Sequence, residues 1–178
     1  MTSESLRQLS DDPSEIRANL EQKIGTKSAE RFALGYLTVL HFPAYEAAFG
    51  IDQQQCIAKK MRSMLVKRIV EHGDVIAVHP VAPGEFVLLA EEVGQYANIH
   101  DDLEQTVYPK VNEALAPRDG IDPQHISCRL AIIRFNRDED IADVIAHGKD
   151  LLNLHANTKD SGRWVEQYDK NRPYRAQG

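Results

Sequence analysis

Residues 75–90 read VIAVHPVAPGEFVLLA: two apolar runs on either side of Ala82-Pro83-Gly84-Glu85. Proline followed by glycine at the two central positions suits a type II turn, because proline presets φ and glycine accepts the positive φ that follows. The flanking runs are too short for helices and read as strands, 75–81 and 86–90. A tight turn between two strands forces an antiparallel pair into the middle of the chain. That rules against a fold built only from parallel strands.

The remaining segments are read around this hairpin. Asp12-Pro13 has the form of a helix start, Ile16, Leu20 and Ile24 recur at helical spacing, and Gly25 is a stop signal. GYLTVLHF (35–42) reads as a central strand ended by Pro43. From Gln53 to about Val70, the residues Ile57, Met61, Met64, Leu65 and Ile69 share one helical face, leaving Lys59, Lys60, Arg62 and Lys67 mostly to solvent. Ile99, Leu103, Val107 and Val111 suggest another helix, interrupted at Pro109, and 117–123 is a loop. ISCRLAII (126–133) reads as a strand with a more polar face at Ser127 and Arg129. Ile141, Val144, Ile145, Gly148 and Leu152 form a helix face ending near His155, and RWVEQY (163–168) is a last strand. Strands separated by amphipathic helices, with one central hairpin, predict an α+β sandwich of ferredoxin-like type, its mainly antiparallel sheet of about five strands covered by helices. The expected organisation is an N-terminal helix and linker at 1–29, one domain at 30–169 and a polar tail at 170–178.

Charge limits the partners. A formal net charge of −6 argues against general nucleic-acid binding, which needs a basic surface. No apolar run approaches the roughly 18 residues of a membrane span, and the polar, acidic start MTSESLRQLSDDPSE does not resemble a signal peptide. Cys56 and Cys128 lie in apolar-periodic segments without a CxxC or Cys/His cluster, so they read as buried thiols rather than zinc ligands. A cytoplasmic protein with no membrane or nucleic-acid partner is the expectation. His147 and His155 lie on one expected helix, too far apart to share a metal without other ligands, and read as surface or half-buried residues.

In order and spacing, four stretches resemble the GGDEF domain of diguanylate cyclases: VLHFPAYEAAFG, APGEF, ISCRLAII and HANTKDSGRWVEQYD. The resemblance covers roughly residues 30 to 169, and the last stretch is the best match. It implies a fold in which two GTP molecules are condensed to cyclic di-GMP with divalent metal held by carboxylates. Matched on Phe42 and Gly50, the first metal aspartate of the family falls on Thr38, and the second acidic position on Leu40. The guanine-contacting asparagine falls on Glu46 and a later guanine-reading aspartate near Gln55. In the turn, the glycine pair becomes Ala82-Pro83, the metal carboxylate becomes Gly84, and Glu85 and Phe86 are kept. Pro83 has no N–H to offer a phosphate.

The resemblance therefore implies a degenerate domain without metal-dependent cyclase activity and with no metal site or cofactor. Its expected role is a regulatory, protein-interaction or nucleotide-sensing module in bacterial cyclic di-GMP-type signalling. A protein partner or a homodimer is expected, and a guanine nucleotide is a possible ligand. Glu85 reads either as a remnant catalytic carboxylate or as a polar residue at a strand start. Lys159 and Arg163, flanking Gly162, match the positions at which the family holds the triphosphate, and a lysine charge and an arginine fork suit phosphate. Helix-end and turn roles explain the same two residues equally well. Glu71 stands where the family's product-inhibition motif has arginine, upstream of a retained Asp74. The alternatives are an active diguanylate cyclase with an atypical APGEF site, requiring magnesium, and an unrelated ferredoxin-like domain.

Overall fold

The structure, a computed structural model, describes residues 13–39, 50, 59, 62–63, 76–82, 84–91, 128–155 and 162–171. In chain order these form α1 (Pro13–Gly25), β1 (Arg31–Val39), β2 (Ala77–Ala82), β3 (Glu85–Ala90), β4 (Cys128–Asn136), α2 (Ile141–Leu154) and β5 (Gly162–Gln167). The strands make one five-stranded sheet in the order β2-β3-β1-β4-β5. β2–β3, β3–β1 and β1–β4 pair antiparallel, and β4–β5 pair parallel. This is the α+β architecture expected from the sequence. The expected helices at 53–70 and 99–111 and the loop at 117–123 lie outside the described residues, except that 59, 62 and 63 are helical.

β1 explains why the sheet closes on both faces. Along it, Phe32, Leu34 and Tyr36 alternate with Ala33, Gly35 and Leu37, and all six are buried. The first set joins Ile16, Leu20 and Ile24 of α1 and Ile141, Val144, Leu151 and Leu152 of α2 in one apolar cluster. Period-2 and period-3.6 patterns thus meet in a single core. On the opposite face Leu37, Phe86, Leu88, Leu130 and Ile132 are equally buried.

Two expectations are corrected here. β1 begins at Arg31 rather than Gly35, because Phe32, Ala33 and Leu34 are already paired and buried. β4 has no polar face at Arg129, which is only 9% exposed. β4 is an inner strand that continues to Asn136, and Leu130 and Ile132 on one face and Ala131 and Ile133 on the other are all buried. Ser127 lies outside the described residues.

Side chains fix the helix ends. Asp140 caps α2 by accepting from the Ala142 N–H at 3.1 Å. The guanidinium of Arg137 donates to the carbonyls of Lys27 at 3.0 Å, Ala29 at 3.1 Å and Ile24 at 3.4 Å, so it gathers the chain leaving α1. α2 approaches the sheet closely at Gly148, where an added Cβ would stand 3.0 Å from the Cβ of Tyr36.

Candidate functional site at the hairpin end of the sheet

The strand register assembles the hairpin end. Glu85 pairs with Ala82 on β2 and with Thr38 on β1, Thr38 pairs with Arg129 on β4, and Arg129 pairs with Gly162 on β5. Directly paired residues present their side chains to the same face. One row therefore joins the expected metal position Thr38, the turn carboxylate Glu85 and a guanidinium from β4. The register shifts between Pro80 and Ala82, just before the turn. Gly84 has φ 75°, the left-handed conformation that a glycine in the third turn position supplies.

Glu85 is tied down from below. The Tyr36 hydroxyl donates to Glu85 Oε1 at 2.9 Å. Tyr36 is 3% exposed, and burial, together with the carboxylate charge and the hydrogen bond, pushes its pKa far above the ordinary phenol value. The phenol thus stays a proton donor at any physiological pH. No motif marks Tyr36 in the sequence, although its place two residues before Thr38 on a strand puts both on one face.

Among the described residues at this end, the donor set is one carboxylate, Glu85, and one hydroxyl, Thr38. Such a set does not fit a divalent ion, which needs several oxygen ligands and matching negative charge. Nor do His, Cys, Asp and Glu side chains come together as a metal-binding group anywhere among the described residues. No reaction step through a metal is derived for this end of the sheet.

Phe86 is 2% exposed and belongs to the core. The backbone of Arg163 pairs with Leu130, one position along from the Thr38–Arg129–Gly162 row. Leu40, Phe42, Glu46, Gln55, Pro83 and Lys159 lie outside the described residues, as do Glu71 and Asp74.

A second polar region joins α2 to β5. His147 is fully buried, and Glu166 Oε1 accepts from its Nε2 at 2.9 Å. The Tyr168 hydroxyl donates to Asp143 Oδ2. His155 stacks on Trp164 with ring centroids 4.4 Å apart and planes 11° from parallel. The surface or half-buried placement expected for His147 is corrected: α2 turns it onto β5, whose Glu166 supplies the partner its ring requires. A usable signal was present in the sequence. Asp143 and His147 are four apart on a helix, while Trp164, Glu166 and Tyr168 alternate along a strand and its extension, so each set shares a face.

No family model and no curated protein sequence matches the chain. Solved structures do match. A diguanylate cyclase, SiaD, in complex with its activator SiaC from Pseudomonas aeruginosa is similar, with TM-score 0.65 and 14% identity. That match covers 92% of this chain and 65% of the other, so the chain spans less than two thirds of that cyclase. The active GGEEF domain of a diguanylate cyclase from Vibrio cholerae matches with TM-score 0.59 and 14% identity, over 88% of this chain and 94% of that domain. The coiled coil and GGDEF domain of DgcB from Caulobacter crescentus, in complex with c-di-GMP, matches with TM-score 0.64 and 11% identity, over 86% and 80%. Strand order, central hairpin and these likenesses together make the chain a GGDEF-like domain in fold.

Proposed function

We propose that this chain is a regulatory member of cyclic di-GMP signalling: a GGDEF-like domain that does not condense GTP and acts by binding a protein partner or a nucleotide. The observation that carries the reading is the donor set at the hairpin end. Thr38 and Gly84 stand where the fold's cyclases are expected to hold metal, neither bears a carboxylate, and Glu85 is engaged by Tyr36. Among the described residues, a triphosphate arriving there with magnesium meets one carboxylate in place of a full ligand set. The complexes of SiaD with an activator protein and of DgcB with c-di-GMP support a domain of this shape receiving either kind of partner. Any remaining nucleotide contact runs through Lys159 and Arg163 without metal. It is weak and salt-sensitive, since two cations alone offer few charge-assisted hydrogen bonds and salt screens them.

The test is direct. The purified chain is incubated with GTP and either magnesium or manganese, and the products are separated by chromatography. The expected result is unchanged GTP and no cyclic di-GMP. Metal-dependent turnover, persisting in a preparation free of other cyclases, overturns the reading in favour of an active enzyme with an atypical site.

A further inference from the structure

The end of the sheet away from the hairpin carries an open cleft of about 650 Å³, lined among the described residues by Glu30, Arg31, Ala33, Glu91 and Arg134, with Ala29 and Phe32 completing it. Its geometry follows from the register. Arg31 pairs with Asn136 and Ala33 pairs with Arg134, so Arg31 and Arg134 stand diagonally across β1 and β4 on one face. Between them is Ala33, which pairs on its other side with Ala90. Two small, buried alanines leave a low floor where the next row inward carries Leu88 and Ile132. Both arginines are exposed above that floor.

Like charges on neighbouring strand positions repel. Among the described residues, neither Arg31 nor Arg134 has a carboxylate partner for its guanidinium. Two other arginines, Arg17 and Arg137, are taken up. Arg17 pairs with Glu21 and Asp140, and Arg137 binds three backbone carbonyls. Two planar forks facing one shallow space suit an oxyanion that offers several acceptor oxygens, and the volume is that of a small-ligand site. The carboxylates of Glu30 and Glu91, on a chain of net charge −6, disfavour a long polyanion.

We infer that this cleft is a metal-independent binding site for the phosphate group of a nucleotide-sized phosphate monoester, held between Arg31 and Arg134. It is separate from the hairpin end: Arg31 and Thr38 stand near opposite ends of β1, about 23 Å apart along an extended strand. The site therefore goes beyond the function proposed above and does not depend on it.

The experiment uses the full chain, with chelator present and at low salt, followed by amide NMR shifts. The probes are inorganic phosphate, 5′-GMP and, as a dianion without phosphate, succinate. The expected result is saturable shifts at residues 29–33, 91 and 134 with phosphate and 5′-GMP, and at least tenfold weaker binding of succinate. Arg31→Gln with Arg134→Gln is expected to weaken binding at least tenfold. Arg31→Lys with Arg134→Lys, which keeps charge and loses the forks, is expected to fall between. Both pairs are exposed, and an unchanged thermal midpoint verifies folding. Shifts confined to 36–38 and 82–86 overturn the inference and point to the hairpin end instead. Equal binding of succinate, equal binding by the Gln variant, or no shifts at millimolar probe also overturn it.

Discussion

The hairpin end of the sheet and the α2–β5 seam are both polar, yet they use their polar groups in opposite ways. At the hairpin, one row brings Glu85, Thr38 and Arg129 together across three strands, and Glu85 accepts a hydrogen bond from Tyr36 beneath it. In the seam, polar and aromatic residues engage one another across helix and strand: His147 with Glu166 and Tyr168, Tyr168 with Asp143, His155 with Trp164. His155, Trp164, Glu166 and Tyr168 of the seam lie inside 155–169, the stretch that most resembles the GGDEF family, whereas the hairpin stretch 82–86 departs from the glycine pair and carboxylate expected of that family. The difference teaches that polar residues serving packing and polar residues serving a site answer to different constraints. Polar residues that fasten a crossover helix to its strand are held by packing, whereas carboxylates that serve only a metal have no packing role to retain them.

The largest expected effect lies in the seam. His147→Ala removes a fully buried ring and takes the partner from Glu166, and should cost about 3 kcal/mol of stability by chemical denaturation. A loss below about 0.5 kcal/mol would break the comparison, because the seam would then not be structural. Gly148→Ala should come next. The added methyl meets the Cβ of Tyr36 at 3.0 Å, and overpacking of this kind costs about 1–3 kcal/mol. A stabilised variant would show that helix and sheet separate there without cost.

Tyr36→Phe is the smallest perturbation and reports on the hairpin itself. Near neutral pH it should cost about 1 kcal/mol, the worth of one hydrogen bond to a carboxylate that retains access to water. Its pH dependence sharpens the contrast. The folded Tyr36 pKa is raised, so below the unfolded phenol value near pH 10 both states hold the proton and the contribution is fully present. Above that pH the unfolded chain binds fewer protons than the folded one, so stability falls as pH rises toward the folded pKa. Denaturation at pH 8 and pH 11 should show a steeper loss for the native chain than for Tyr36→Phe. Equal losses would mean that the phenol is not held by burial and Glu85.

Much of this contrast was legible in the sequence, for reasons that differ by region. The hairpin was readable because Pro83-Gly84 is a local signal, and Gly84 indeed takes positive φ. α1 was readable because Ile16, Leu20 and Ile24 repeat with the helix, and all three are buried. Arg129 misled because a charged residue on a strand normally marks a wet face, and only the packing, which buries residues on both faces of β4, shows otherwise. The seam was invisible as a unit because its partners are 19 and 25 residues apart in sequence. Each half has its own periodicity, but the parallel β4–β5 crossover decides that the halves meet. The candidate phosphate contacts were legible only through the family resemblance, and of these Lys159 lies outside the described residues while Arg163 is placed by backbone register.

Tyr36 touches both regions at once. Its Cβ sits against the backbone of α2 at Gly148, and its hydroxyl holds the turn carboxylate. In a drifting sequence such a residue makes three positions inherit together. A larger residue at 148 displaces the ring, a displaced ring releases Glu85, and a lost Glu85 leaves a buried hydroxyl with no acceptor. Substitutions among the three should therefore be non-additive. Lineages that abandon one of them should be found to have abandoned the set, even where the rest of the hairpin is free to vary.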